Sequence, residues 1–254
     1  MTHHLGVISL IPEILESLNY GISGRAIEQG LAKVDHWNPR DWASRPYRQV
    51  DDKPYGGGPG MVMMYEPLHE AVTHARSQMP AHCKTIYLSP QGKVIHQSDL
   101  NKIAKDHQPL LFIAGRYEGI DERIISQHVD EEWSLGDFVL SGGELAAMVF
   151  IDAIIRLIPG SLGHLGSAEQ DSFMNGVLDC PHYTRPASIN GLDVPPVLLG
   201  GNHKKIEQWR RKQALGKTWR VRPELLEKVQ LSETDKQLLD EFKNKVSPIK
   251  DEPI

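Results

Sequence analysis

The sequence predicts an α/β fold, in which a parallel sheet with helices on both faces is followed by a small, mainly helical C-terminal domain. The chain has 254 residues, enough for one large domain and one small one. Between residues 66 and 129, short apolar runs alternate with segments of helical periodicity. This alternation is typical of parallel strands connected by helices. Beyond residue 171 the pattern is mainly helical and rich in charge.

Four apolar runs have the length of strands: residues 5–10, 85–88, 110–114 and 138–141. Apolar runs without alternation suit strands that are covered on both faces. We therefore expect all four runs in the sheet, with 138–141 as a short buried strand.

Helix signals lie between these runs. Pro12 suits the first turn of a helix, and Ser98 is a predicted N-cap. The helical period that begins at Glu144 is stopped by Pro159 and Gly160. The predicted helices cover residues 12–18, 66–76, 98–106, 121–129 and 144–158.

Three glycine-containing loops lie at predicted strand ends, at residues 89–92, 115–119 and 135–143. The carboxyl ends of parallel strands meet at one edge of a sheet, where α/β proteins favour small ligands. Together the loops predict a single ligand pocket built mainly from backbone. The alternative for Gly142 and Gly143 is an ordinary turn into a helix without a ligand.

A further glycine-rich stretch, GGGPG at residues 56–60, lies within the segment 51–64. No apolar strand precedes it, which excludes a dinucleotide-binding fingerprint, and no Gly-Lys-Ser/Thr follows, which excludes a P-loop. It is either a loop whose bare backbone approaches a large substrate or a plain flexible turn.

Composition indicates a cytosolic protein. The two cysteines, Cys83 and Cys180, match no metal spacing, so we expect reduced thiols. The N-terminus lacks the basic region of a secretory signal, and the longest apolar run is too short to span a bilayer. We therefore expect a cytoplasmic location and no membrane partner.

Charge is distributed unevenly along the chain. The net charge is −5, but residues 204–222 contain eight basic residues and one acidic residue. This window carries +7, which leaves −12 on the remainder. The asymmetry indicates a nucleic-acid partner despite the negative net charge, and the alternative is a solvated helix face. A helix is predicted at 203–215 with Gly216 as its C-cap, and Trp209 is expected in the core.

Four long motifs resemble one known family. LSPQG at 88–92, AGRYEGIDER at 114–123, WSLGDFVLSGGELAAM at 133–148 and DSFMNGVLDCPHYTRP at 171–186 are similar to bacterial tRNA (guanine-N1)-methyltransferases of the TrmD type. The similarity extends through nearly the whole chain. Two conservative departures, Leu135 for Ile and Phe138 for Tyr, remove no proposed catalytic group.

The resemblance implies a methyltransferase domain of the SPOUT class at residues 1–160, with a deep trefoil knot towards its C-terminal end. A polar linker at 161–170 would lead to a tRNA-binding domain at 171–254. The family works as a homodimer whose active site is shared between subunits. It transfers a methyl group from S-adenosylmethionine to N1 of the guanine immediately 3′ of the anticodon, position 37.

The resemblance assigns the methyl donor to the three glycine loops. Backbone groups would hold the adenine edge, and glycine would allow close approach. The predicted donor-binding residues are Pro90, Gly92, Gly115, Tyr117, Glu118, Leu135, Gly136, Asp137, Phe138, Val139, Leu140, Gly142 and Gly143.

Methylation of guanine N1 requires a general base, because N1 carries a hydrogen at neutral pH. Charge that develops on O6 also needs a donor or a cation. The resemblance gives these roles to Asp171 and Arg156. Without it, Asp171 would be interpreted as a helix N-cap and Arg156 as a solvated charge at a helix end.

A target base inside a stacked RNA loop must be extruded to reach a pocket. The predicted substrate-binding residues are Gly57, Gly58, Ser172, His182, Tyr183, Arg185, Lys204, Arg210 and Arg211. No protein metal site is predicted, because the histidines nearby lack ligand spacing. Whether Mg²⁺ acts in the chemistry or only in RNA folding is left open.

Two other function classes compete. A non-catalytic RNA-binding protein is disfavoured because Asp171 and Arg156 are both present. A nucleotide-phosphate enzyme built on residues 56–60 is disfavoured because the P-loop lysine and metal carboxylates are missing.

Overall fold

The chain forms two compact units, Met1–Leu165 and Gly166–Ile254. The computed structural model describes residues 2–44, 46–163 and 171–245. Residues 164–170, most of the predicted linker at 161–170, lie outside the described residues. None of the helices in the described ranges is both long and apolar enough to cross a membrane.

The first unit is built on a parallel sheet of five strands. The strands of the first unit are β1 His3–Ile8, β2 Ala32–Trp37, β3 Asp51–Asp52, β4 Val62–Met63, β5 Lys84–Val94, β6 Leu110–Ala114 and β7 Glu131–Ser134. The order in the sheet is β2-β1-β6-β5-β7, while β3 and β4 form a separate two-stranded pairing. The central strand β6 aligns Leu110 with Leu5 of β1 and with Lys84 of β5.

Helices cover both faces of this sheet. Alternate residues of β6 point to opposite faces, so Phe112 packs in one core and Leu111 and Ile113 in another. The α-helices of the first unit are α1 Gly21–Glu28, α2 Tyr65–Gln78, α3 Gln97–Lys105, α4 Glu122–His128 and α5 Glu144–Ile155, and the helix predicted at 12–18 is a 3₁₀ helix, Pro12–Asn19. The core around Phe112 packs α1, α3 and α5, and the opposite core packs α2 and α4. The predicted parallel sheet with helices on both faces is confirmed.

Three of the four predicted strands are confirmed as β1, β5 and β6, and the prediction at 138–141 is wrong. The last strand is β7, and residues 138–141 form part of the loop that follows it. Phe138 is 55% exposed and Val139 83% exposed. The apolar residues of this run lie on the surface. A run of apolar residues predicts a buried strand, but here the side chains do not pack in a core. Edge strand β2 was missed because polar residues interrupt it.

Two local predictions need correction. Strand β5 continues to Val94 through the predicted loop at 89–92, with a shift in its register against β7 between Leu88 and Lys93. Helix α3 has His96 rather than Ser98 as its N-cap. The His96 backbone N–H donates to the Asp99 side chain at 3.0 Å. This hydrogen bond caps the helix two residues before the predicted N-cap.

The second unit is mainly helical around a small core. It contains β8 Ser188–Ile189, β9 Leu192–Asp193, α6 Pro196–Leu199, α7 His203–Val221, α8 Pro223–Leu226 and α9 Glu233–Lys245. Leu215 of α7 and Leu239 of α9 lie in this core with Val177. The Leu178 backbone N–H donates to Thr218 at 2.9 Å, which ties the start of the unit to α7.

The prediction of Gly216 as the C-cap of the basic helix is wrong, because α7 continues through Gly216 to Val221. A Cβ at Gly216 would lie 2.3 Å from the Phe242 ring. The glycine therefore allows α7 and α9 to approach closely. In a sequence, a glycine at a close helix contact and a glycine at a C-cap look alike.

The buried histidine of β1 predicts a pH-dependent stability of the first unit. Burial lowers the pKa of His3 from 6.5, and its Nε2 lies 2.9 Å from the Gln108 carbonyl. The folded state therefore resists a proton that the unfolded chain accepts. The free energy of unfolding should fall as pH drops below about 6.5, by at most about 1.4 kcal/mol per pH unit for this histidine.

Amide hydrogen exchange of peptides from β1 and β6, corrected for intrinsic rates, measures this loss between pH 7.5 and 5.5. His3→Gln should reduce the pH dependence, whereas His36→Gln at an exposed position of β2 should not. An equal pH dependence in the His3→Gln variant would contradict the assignment. His128, whose pKa burial also lowers, should supply part of the remaining dependence.

Candidate functional site

The three glycine loops line one cavity of about 330 Å³ in the first unit. Residues that follow β6 and β7 form its walls together with the irregular part of β5. The predicted donor-binding residues in the lining are Pro90, Gly115, Tyr117, Glu118, Leu135, Gly136, Phe138, Val139, Leu140, Gly142 and Gly143. Gly92 and Asp137, also predicted, are not among the lining residues.

The loops after β6 and β7 touch backbone to backbone. The Gly143 N–H donates to the Gly115 carbonyl at 2.9 Å, and Arg116 forms a bridge with Gly142. A Cβ at Gly143 would lie 2.7 Å from the Ala114 Cα and 3.0 Å from the Gly115 nitrogen. Only glycine permits this approach, because the obstacle is backbone and cannot rotate away.

Gly92 has a structural position beside the cavity. A Cβ there would lie 2.5 Å from the backbone carbon of Glu132 and from the Trp133 nitrogen. This contact coincides with the register shift between β5 and β7. Gly92 therefore permits the irregular pairing that opens residues 89–91 towards the cavity.

The glycine-rich loop at 56–60 is joined to the loop that follows β6. Gly56, Gly57 and Gly58 all have positive φ, which favours glycine. The Glu118 N–H donates to the Met61 carbonyl at 2.9 Å, and a Cβ at Gly60 would meet the Glu118 side chain at 2.4 Å. Loop 56–60 therefore ends beside Glu118, a residue of the cavity wall, and Gly57 and Gly58 are exposed.

A buried charged network, which the sequence interpretation missed, lies where α5 begins. Glu144 accepts hydrogen bonds from the Ser9 hydroxyl at 2.9 Å and from the Arg116 Nε at 3.1 Å. A glutamate in the first turn of a helix is usually exposed, so no sequence signal distinguished this one. Arg116 was inside a quoted motif, and its position in the cavity wall depends on the fold.

Arg156 lies at the other end of α5 from the cavity. It is the C-cap of this helix and is half-buried. At 1.5 Å per residue, its Cα is roughly 20 Å from that of Gly143. The structure therefore does not bring Arg156 to the cavity.

In the second unit, Asp179 organises several predicted residues. The Asp179 N–H donates to the Ser172 hydroxyl at 2.9 Å, and Asp179 Oδ2 lies 2.8 Å from His182 Nε2. Burial opposes ionisation, but hydrogen bonds from His182 and the Cys180 backbone lower the pKa of Asp179 below its usual value. Asp171 is half-buried at the start of this segment. Asp179 was not predicted as a site residue, although it lies inside the quoted motif.

One group of side chains in the described part of the chain has the residue types of a metal site, with possible ligand atoms within 4.8 Å of one another. Its members are Asp179, Cys180 and His182. The hydrogen bond between Asp179 and His182 already uses two of these groups. Burial raises the pKa of the Cys180 thiol, which keeps it protonated at neutral pH.

The remaining RNA candidates differ in their surroundings. Tyr183 faces Trp209, whose ring centre is 6.3 Å away, and Trp209 is half-buried rather than in the core. Arg211 makes a two-point ion pair with Asp235, at 2.7 and 3.1 Å, which joins α7 to α9. Tyr183, Arg185, Lys204 and Arg210 are exposed.

Comparison with known proteins decides the family. The model of the family described as tRNA (Guanine-1)-methyltransferase TrmD matches residues 3–228. The chain belongs to this family.

Two relatives show how close the similarity to the TrmD family is. A tRNA (guanine-N(1)-)-methyltransferase of Legionella pneumophila strain Philadelphia 1 is 82% identical over 243 residues, which cover 96% of this chain and 97% of that protein. The protein of the same name from Vibrio vulnificus strain YJ016 is 54% identical over 239 residues, 94% of this chain and 96% of that protein.

The backbone contact at Gly143 predicts that adding one methyl group there lowers the stability of this TrmD family member. Gly143→Ala should destabilise the first unit by about 1–3 kcal/mol, because its Cβ would overlap the Ala114 backbone. Gly163→Ala is the matched control, since its Cβ would have no neighbour within 4 Å. Urea unfolding measures both variants. Equal stability of the two would contradict the close contact.

Proposed function

We propose that the protein transfers a methyl group from S-adenosylmethionine to N1 of guanine 37, immediately 3′ of the anticodon in tRNA. The observation that carries this proposal is the cavity between the glycine loops, in a chain of the tRNA (Guanine-1)-methyltransferase TrmD family. Relatives named tRNA (guanine-N(1)-)-methyltransferase support the reaction and the RNA class.

The cavity suits a nucleoside with a short tail. Its volume of about 330 Å³ is in the range of small-molecule sites. Backbone groups of residues 135–140 hold the adenine edge. Glycine at 115 and 143 lets the loop backbone approach the Tyr87 ring and Ala114, where a Cβ would not fit. Tyr87 borders the cavity, and burial raises the pKa of its hydroxyl, which remains a hydrogen-bond donor. S-adenosylmethionine supplies the activated methyl group.

The chain supplies the groups that act on guanine. Asp171 takes the N1 hydrogen as general base, and Arg156 donates to O6, where negative charge develops. An ordinary aspartate titrates near ~3.9, so Asp171 is a weak base in water. Enclosure around the base would raise its pKa by desolvation, and a cation at O6 would make N1–H more acidic.

A homodimer with a shared active site follows from these assignments. Arg156 is roughly 20 Å along α5 from its own cavity, so a partner subunit has to provide a second cavity for it. Exposed apolar side chains occur around the cavity and on α5, a surface that suits a second subunit. They are Phe138, Val139, Leu140, Leu145 and Val149.

The remaining features of the proposal concern architecture. The loops at 115–119 and 135–143 are the crossing segments of the proposed trefoil knot, consistent with their backbone contact. The proposed domains are residues 1–160 for the donor, 161–170 as linker and 171–254 for tRNA. We place the enzyme in the cytoplasm.

The RNA is held by residues of both proposed domains. The exposed cations Lys204 and Arg210 contact phosphates, and Arg211 contributes mainly through its ion pair with Asp235. Ser172, His182, Tyr183 and Arg185 hold the extruded base, and Gly57 and Gly58 approach the RNA backbone.

Replacement of the proposed base should abolish the chemical step. Asp171→Asn keeps the shape but removes basicity, so the single-turnover rate should fall by at least ~10²-fold. Affinities for S-adenosylmethionine and tRNA should change little, because the lost interaction belongs to the transition state. Mass spectrometry of the product detects 1-methylguanosine, and a transcript with adenine at position 37 is the control. Wild-type rates in Asp171→Asn would place the base elsewhere.

A mixed dimer tests the shared site. Asp171→Ala removes the base from one chain, and Gly142→Val disables the donor cavity of the other, since a Cβ at Gly142 would lie 2.5 Å from Glu144 Oε2. Each homodimer should be inactive. A purified mixed dimer should recover about half of wild-type activity, because one complete site remains. An inactive mixed dimer would mean that each site lies within one chain.

A further inference from the structure

The buried network at the start of α5 extends beyond the residues assigned to methyl transfer. Glu144 is 1% exposed, yet one carboxylate oxygen, Oε2, has no hydrogen-bond partner among the described residues. The other oxygen accepts from both Ser9 and Arg116. A buried unpaired carboxylate oxygen is unfavourable, and such groups occur where function requires them.

The network fixes the position of one side chain in the cavity wall. The Arg116 Nε donates to Glu144 Oε1 at 3.1 Å, and this is the guanidinium's one hydrogen bond within the described ranges. A Cβ at Gly142 would lie 2.8 Å from Nε and 2.9 Å from Cζ of Arg116, so the glycine loop packs directly on the guanidinium. Glu144 and Gly142 therefore hold Arg116 from two sides.

Arg116 keeps two terminal amino groups for a ligand. Its side chain is 22% exposed, and the residue lines the donor cavity. A guanidinium with a fixed plane and two parallel N–H donors matches a carboxylate, which accepts both bonds at once. Arg116 is the single basic residue in the three glycine loops at 89–92, 115–119 and 135–143. The ligand proposed for this cavity carries one carboxylate, on its amino-acid tail.

We propose that Arg116 binds the carboxylate of the donor's amino-acid tail and that Glu144 is the positioning residue that holds Arg116 for it. The proposal rests on the proposed function, because it concerns the same ligand. It divides the cavity into a nucleoside part held by backbone and an anion part held by one arginine. The Arg116–Glu144 pair then contributes to the affinity for ligands that have the amino-acid tail and does not contribute to binding of the nucleoside part.

Two nucleosides distinguish the anion part of the cavity from the nucleoside part. S-adenosylhomocysteine has the amino-acid tail, and 5′-methylthioadenosine has the same nucleoside without it. Calorimetry on the full-length protein should show that Arg116→Gln weakens S-adenosylhomocysteine about tenfold and leaves 5′-methylthioadenosine within about twofold. Glu144→Gln keeps an acceptor but loses charge, and should weaken the first ligand several-fold. The double variant should lose no more than Arg116→Gln alone, because both changes act through one guanidinium.

Glu233→Gln, at an exposed ion pair with Lys236 in the second unit, is the matched control and should change neither affinity. Equal weakening of both ligands by Arg116→Gln, or additive losses in the double variant, would overturn the proposal. In that case a wild-type protein that binds both ligands still supports the donor cavity. A wild-type protein that binds neither overturns the proposed function together with this inference.

Discussion

The backbone contact between the loops that follow β6 and β7 is the constraint on which the rest of the first unit depends. Gly143 donates to Gly115 at 2.9 Å, and no side chain fits between them. Because α5 begins at the next residue, this contact sets where that helix starts and places Glu144 directly after it. Residues of both loops line the cavity, so the contact also fixes the position of part of its wall.

Much of the first unit could be predicted from sequence because its signals are local. Strands β1 and β6 are continuous apolar runs, and α5 has a helical period with a clear stop. The failures occurred where a local pattern had a tertiary cause. The apolar run at 138–141 lies on the surface, and Gly216 serves a helix contact with Phe242 rather than a C-cap.

The site was predictable in part for a similar reason. Glycine loops that follow apolar runs can be recognised in the sequence. Because the strands are parallel, these loops lie at the same edge of the sheet. The burial of Glu144 and the ion pair of Arg211 depend on how helices pack, which residue spacing does not reveal. Asp179 was overlooked because its hydrogen bonds to Ser172 and His182 appear only when the segment folds.

The methyl donor is proposed to bind between the glycine loops at 115–119 and 135–143. A crystal structure of the full-length protein grown with saturating S-adenosylhomocysteine tests it most directly. The account predicts electron density for the ligand between residues 115–119 and 135–143, with the adenine edge against the backbone of residues 135–140. Density for the ligand at another place, with the space between these loops filled by solvent, would contradict it.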